Sequence, residues 1–367
     1  MRGSFSDWTE RQADRLFVLP AVVVILAFSI FPLLLSAYLS VSRFKLGAGG
    51  YEIRFIGWLN YRKLLFGSEQ FHFVGRFASV PLWCWAGLAL LAWWIGRALL
   101  QYLRSGRVSV LGLVGRLISA VTILGIALLF ATTLGQGGQL GSAGVTVLYV
   151  VVGVAIQFGI GLGLALLCAQ RIHGRAFFRL VFFLPLMVTP VGIAYAFRML
   201  ADMTQGPLSP IWFGLGFGEF SWASSGWSAR IVVMVGDAWQ WIPFIFIVML
   251  AAIESQSKEQ LEAASIDGAS FWQRFRDITW PEIAPVAATV VLIRMIEAFK
   301  IIDLPNVLTN GGPGIATESM TLHSFIAWRT LDLGGSSAVA YMLLFLSTVF
   351  SVSFFNFIIL PMRARRQ

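Results

Sequence analysis

Three ionisable residues stand three apart inside an apolar run: Arg294, Glu297 and Lys300. Three residues turn an α-helix through about 300°, so neighbours are offset by about 60° and Glu297 lies between two cations it can pair with inside the helix. A central Arg or Lys in a membrane span costs roughly 2.5–3.5 kcal/mol on insertion scales, so such residues face a cavity, another helix or one another. Two readings stay open: a charge ladder that neutralises itself, and a polar wall of a translocation path, with Asp303 near the outer end either lining the same wall or holding the following loop. Gln157, Tyr195, Arg198, Asp237, Trp239, Gln240 and Trp241 interrupt other apolar runs and are further candidates for that path. Trp239 and Gln240 combine an aromatic face with hydrogen-bonding groups. Pro185, Pro190 and Pro243 are expected to bend their helices and free carbonyls near the cavity.

Other chemistry is missing. The sequence has no GxxxxGK[ST] phosphate loop, no HExxH and no paired-cysteine metal spacing. Its histidines, His72, His173 and His323, are far apart in sequence, which predicts ordinary surface or interface roles and no metal site. Cys84 and Cys168 both fall in apolar runs, which excludes a disulfide framework. No nucleophile stands with a base, so no catalytic residue is expected. The run Gly159–Gly163 holds GxxxG, which reads as a helix-packing face continued by Ala165.

These residues belong to a chain of 367, of which 57% are apolar and 12% charged. Mean hydropathy is +0.78. Soluble domains carry about 45–50% apolar and about 25% charged residues, so composition excludes a soluble enzyme and an ordinary nucleic-acid binder. Eight apolar stretches approach the roughly 20 residues that cross a bilayer: 16–42, 77–103, 112–134, 143–168, 177–201, 229–253, 284–305 and 337–360. The first, Leu16 to Leu39, is too long for the apolar core of a signal peptide. With both termini inside, the inside segments hold about twice the Lys and Arg of the outside ones. The first outer loop, with Arg43, Lys45, Arg54, Arg62, Lys63 and Arg76, is the exception. The organisation expected is a cytoplasmic N-terminus 1–15, a three-span region 16–142 with outer loop 43–76, a five-span core 143–360 and a cytoplasmic tail 361–367. Residues 202–228, rich in Gly, Pro, Ser and Trp, read as an outer loop.

Between spans six and seven lies 254–283, long for such a connection. Lys258 to Ser265 reads as a short helix, Gly268 as a break, and Phe271 to Ile278 as a second short helix with Phe271, Phe275 and Ile278 on one side; Pro281 and Pro285 punctuate the approach to the next span. Such an elbow suits protein docking and a lipid surface about equally.

The stretch Glu262-Ala263-Ala264-Ser265-Ile266-Asp267-Gly268-Ala269, followed by Phe275, Ile278, Pro281 and Pro285, resembles the EAA loop of ABC importer permeases, with Trp280 where Leu is commoner. Phe299–Glu318, with Thr309, Gly311, Gly312 and Pro313 in its L-T-x-G-G-P pattern, is similar to the carbohydrate-type branch (maltose and glycerol-phosphate permeases), as are Phe177–Leu200 and Phe55–Leu65. Residues 77–134 depart from the common six-span form and add two spans. The resemblance implies an all-α polytopic membrane protein of the type I ABC importer permease fold in a bacterial or archaeal cytoplasmic membrane. It implies that the elbow is a coupling helix seated on an ATPase dimer, that ATP and Mg bind on those partner subunits with no cofactor in this chain, and that a second permease pairs with it. A solute-binding protein would dock outside, near Thr309–Gly314, and deliver a sugar, oligosaccharide, polyol or glycerol phosphate. The alternative is an ion-gradient-driven secondary transporter that uses the span-seven charges as a relay.

Overall fold

A computed structural model describes residues 17–47, 50–104, 109–135, 137–170, 174–216 and 221–359. The expected cytoplasmic N-terminus 1–15 and tail 361–367 lie outside the described residues, as does His173.

Helix covers most of each of the eight expected spans among the described residues. Six are long and apolar enough to cross a membrane: α1 (Phe17–Ser40), α2 (Leu82–Arg104), α3 (Gly112–Thr133), α4 (Ser142–Cys168), α7 (Gly226–Glu254) and α11 (Leu333–Phe354). The stretch 177–201, expected as one span, is two helices, α5 (Arg175–Met187) and α6 (Pro190–Ala201), bent by 102°. The cause is local. Pro190 disfavours helical backbone in the residue before it, and Thr189 is extended, its hydroxyl capping the N–H of Gly192 at 3.3 Å.

The second arm of the elbow and span seven form one helical rod, α9, over 271–299. Phe271–Arg274 leads into a π turn, Phe275–Thr279, and that into Trp280–Phe299. The break expected at Pro281 is absent, because proline is accommodated in the first turn after the π turn, where the wider winding already disrupts regular bonding. The rod also ends at Phe299, short of the expected 305, with Lys300 as its cap. Only Arg294 and Glu297 of the expected charge ladder are therefore within the helix. α8 (Lys258–Ile266) is the first arm of the elbow, and α10 (Met320–Arg329) precedes α11.

The chain forms two compact units: residues 1–63 with 324–341, and 64–323 with 342–367. In the first, α1 is followed by a β-hairpin that the sequence reading treated as loop. Ser42–Gly47 pairs antiparallel with Gly50–Phe55, from Ser42↔Phe55 to Gly47↔Gly50. The Asn-Tyr pair of Phe55–Leu65 anchors it. Asn60 donates to the carbonyls of Ser40 (2.9 Å) and Ser42 (3.0 Å), and the Tyr61 hydroxyl donates to Ser40 Oγ at 2.9 Å. The bond to Ser40 serves a carbonyl that the end of α1 leaves open. A Cβ on Gly334 would stand 2.3 Å from the Ser42 carbonyl, so glycine is required there.

In the second unit, α4 and α7 pack closely. The buried stripe on α4 is Gln157, Gly161, Ala165 and Cys168. A Cβ on Gly161 would meet Ile245 at 2.8 Å, whereas Gly159 and Gly163 have nothing within 4 Å. The expected packing face is thus shifted: the two outer glycines of GIGLG lie on the opposite side, and Gly161 with Ala165 forms the close approach. One apolar core joins Ala165, Ile245, Phe246, Met249, Ile283 and Ala287, and a second joins Tyr149, Ile193, Val233, Leu304 and Leu308.

Candidate functional site

Two sites emerge, a buried polar triangle within the helices and the elbow at their end. Arg294, on α9, is 1% exposed. Its Nε donates to Gln157 Oε1 at 2.7 Å, and its guanidinium also bonds Asp237 Oδ2. Gln157 Nε2 donates to the same Asp237 oxygen at 2.7 Å. The guanidinium carbon lies 4.7 Å from the centre of the Trp241 ring. Charge, amide and aromatic face thus satisfy one another where solvent does not reach, which is the condition for holding an ion pair in an apolar interior. The sequence reading left Glu297 able to pair with either cation. The ion pair of Arg294 is instead with Asp237, and that of Glu297 is with Lys300, Nζ to Oε1 at 2.7 Å. Gln240 is buried nearby on α7, while Trp239 and Tyr195 are exposed. Arg198 donates to the Val307 carbonyl at 3.2 Å. Asp303 is half-buried and lies beyond the rod.

The elbow is built by a helix-ending motif that only glycine completes. Gly268 has φ +77°. Its N–H donates to Ser265 O at 3.2 Å, and that of Ala269 donates to Ala264 O at 2.9 Å. This paired 5→2 and 6→1 bonding is a Schellman cap, and its left-handed residue carries no Cβ. Ser270 then starts α9 with a capping box: its Oγ accepts from Gln273 N at 3.3 Å, and Gln273 Oε1 accepts from Ser270 N at 2.8 Å. Arg274 reaches back to Ser265 Oγ and ties the two arms together. The result presents apolar side chains outward: Ile266 is 86% exposed and Trp272 65%, with Phe271 beside them. Glu262, Ala263, Asp267 and Ala269 lie on or beside this turn, Phe275 stacks on Trp272 with ring centroids 5.4 Å apart, and Pro281 lies past the π turn, in the first turn of Trp280–Phe299. Behind the elbow is an open cavity of about 780 Å³, lined by Gln170, Glu254, Lys258, Leu261, Phe271 and Arg274 among others.

The Thr309–Gly314 turn is strapped shut. Asn310 and Gly311 are left-handed, Thr309 Oγ1 meets Thr317 Oγ1 at 2.6 Å, and the Thr317 hydroxyl donates to Gly312 O at 3.1 Å. Arg230 Nε holds the carbonyl of Ala316 at 2.6 Å. Gly312 and Pro313 form the crown of the turn. Arg230 is buried there, a tertiary feature with no signal in the sequence. The sequence reading treated the histidines as scattered, yet the ring centroids of His72 and His323 are 5.9 Å apart.

Apolar helices long enough to cross a membrane and a glycine-capped elbow that exposes apolar side chains together suit a membrane-embedded permease. The sequence model described as "Binding-protein-dependent transport system inner membrane component" matches residues 157–363, and the chain belongs to that family. It is a multi-pass membrane protein of the ABC importer permease fold. The trehalose/maltose transport system permease protein MalF of Thermococcus litoralis is 32% identical over 208 residues, which cover 57% of this chain and 70% of that one. The sn-glycerol-3-phosphate transport system permease protein UgpA of Agrobacterium fabrum is 28% identical over 233 residues, covering 62% and 78%. Among solved structures, a bacterial ABC transporter involved in the import of the acidic polysaccharide alginate aligns with TM-score 0.64 at 14% identity, covering 95% of this chain and 96% of that one.

Proposed function

We propose that this chain is the permease subunit of an ATP-driven importer, moving a carbohydrate-like solute delivered by an extracytoplasmic binding protein. The observation that carries this reading is the elbow: a rigid, capped turn that exposes Ile266, Phe271 and Trp272 at the end of a helical rod continuous with span seven. Apolar residues held out on a stiff turn suit a cleft on a partner, here an ATPase dimer that binds ATP and Mg. A second permease completes the path. Relatives named for maltose, trehalose and glycerol phosphate support the solute class. In this reading both termini and the elbow face the cytoplasm, and the Thr309–Gly314 turn faces the binding protein.

The path candidates divide by exposure. Arg294, Gln157 and Gln240 are buried and act as struts. Trp239, Tyr195, Glu297 and Lys300 keep exposed surface and are the side chains that meet solute, with Arg198 and Asp303 near the outer rim.

The test is reconstitution of the chain with its neighbouring ATPase, second permease and binding protein, with a cysteine placed at Trp272. Cross-linking of that cysteine to the ATPase, and uptake that needs ATP and binding protein, are expected. Uptake by this chain alone, driven by an ion gradient, would overturn the reading.

A further inference from the structure

Away from the elbow and the triangle, three side chains with metal-ligating atoms converge from distant parts of the second unit. One ligand atom from each of His72, Glu318 and His323 lies within 4.8 Å of the other two. His72 is on the four-residue helix Gln70–Phe73; Glu318 and His323 flank the start of α10. His323 Nδ1 is 2.9 Å from Glu318 Oε1 and 3.2 Å from Ser142 Oγ. Glu318 and His323 are buried, while His72 is exposed.

The backbone around each residue is fixed by bonds that do not involve the cluster. Gly75 pairs with Leu140 and Arg76 with Gln139, which holds the His72 helix beside Ser142. A Cβ on Gly75 would stand 2.1 Å from the Gln139 carbonyl, so this approach demands glycine. On the other side, Thr146 Oγ1 accepts from Met320 N at 2.8 Å and Ser319 Oγ donates to Ile301 O at 2.6 Å. The three side chains therefore project from supports already set before any ion arrives, which is what a binding site requires.

We propose that His72, Glu318 and His323 form a site for a zinc-class divalent cation, with three protein ligands and an open fourth position. Two imidazoles and one carboxylate select zinc and its neighbours over magnesium or calcium, which take oxygen ligands. Zinc bonds near 2.0–2.2 Å set ligand atoms roughly 3.4 Å apart, so the three atoms, none more than 4.8 Å from another, reach that spacing by small side-chain shifts. His72, exposed, swings inward and leaves the ion a route from solvent. The bound ion clamps the Gln70–Phe73 helix to the segment that follows the Thr309–Gly314 turn.

The experiment uses the full-length chain without an affinity tag, stripped with chelator in detergent and titrated with zinc, with cobalt as a spectroscopic probe and magnesium as control. We expect one zinc per chain, cobalt d–d bands, and a rise in Tm that magnesium does not give. His72→Ala, at an exposed position, keeps the helical circular dichroism and weakens zinc binding by roughly 100-fold. His173→Ala leaves it unchanged. No stoichiometric zinc in the wild type, equal affinity in His72→Ala, or loss on His173→Ala instead would overturn the site.

Discussion

Arg294 and Asp237 face each other across α9 and α7, 57 residues apart in sequence, and share one carboxylate oxygen with Gln157 of α4. Three helices are thereby joined at one point by a charge pair that water does not reach. Removing one member leaves the other buried and uncompensated, which costs about 3–5 kcal/mol. Asp237→Leu is therefore expected to destabilise the detergent-solubilised chain by that amount. Asp237→Leu combined with Arg294→Met removes both charges and recovers most of the loss. Thermal unfolding of the two variants checks this; equal Tm values for the single and the double would show that the pair does not act as a unit.

Gly268 is left-handed and closes the Schellman cap at the elbow. A β-branched residue there is strained by about 1–2 kcal/mol. Gly268→Val is expected to insert into membranes at the wild-type level but to uncouple ATP hydrolysis from uptake in the reconstituted importer. Ala269→Gly, one residue on, keeps the bonds and is expected to keep coupling. Wild-type uptake in Gly268→Val would remove the elbow from the mechanism.

Glu297 pairs with Lys300 at a partly exposed position, so the pair adds under about 1 kcal/mol to stability. Glu297→Ala is expected to leave assembly and Tm nearly unchanged while lowering uptake. Unchanged uptake kinetics would make Glu297 a local charge balance only.

Asp202, just beyond α6, accepts from the N–H of Gln205 at 2.9 Å, from the Thr204 hydroxyl at 2.9 Å and from the Thr204 N–H at 3.0 Å. These bonds, that of Gln205 foremost, hold its carboxyl below the ordinary value. A depressed carboxylate contributes stability above its ordinary pKa, about 3.9, and loses it as pH falls through the lowered one. Thr204→Val removes the hydroxyl bond and is expected to move the Asp202 midpoint up towards the ordinary value, read by carbon NMR of labelled aspartate. A midpoint that stays in place would show that the turn does not depend on Thr204.

How much of this was legible before the structure varies by kind of signal. Six of the eight expected spans followed from apolar length, and the Gly268 break from residue type, because both are local. Pro190 marked a bend, but only the extended backbone at Thr189 turned it into a 102° corner. The merging of the second elbow arm with span seven was hidden, since Pro281 reads as a stop until a π turn precedes it. Asp237 could be picked out as a polar residue in an apolar run, but its choice of Arg294 over a same-helix partner depends on which faces of two helices meet. The approach of His72 to His323 left no trace in spacing, because it is made by β-pairing at Gly75 and by the fastening of α10 to α4.

α9 is helical without interruption from Phe271 to Phe299, about 43 Å at 1.5 Å per residue. Trp272 protrudes near one tip and Arg294 is clasped about 33 Å along. Over that distance a tilt of about 5° becomes a displacement of about 3 Å, as large as a whole hydrogen bond. For a rod that tilts as a body about the clasp, either Asp237 releases the guanidinium or Gly226–Glu254 follows it. Bending at the π turn Phe275–Thr279 or at Pro285, both of which lie between Trp272 and Arg294, would absorb the same displacement before it reached Asp237.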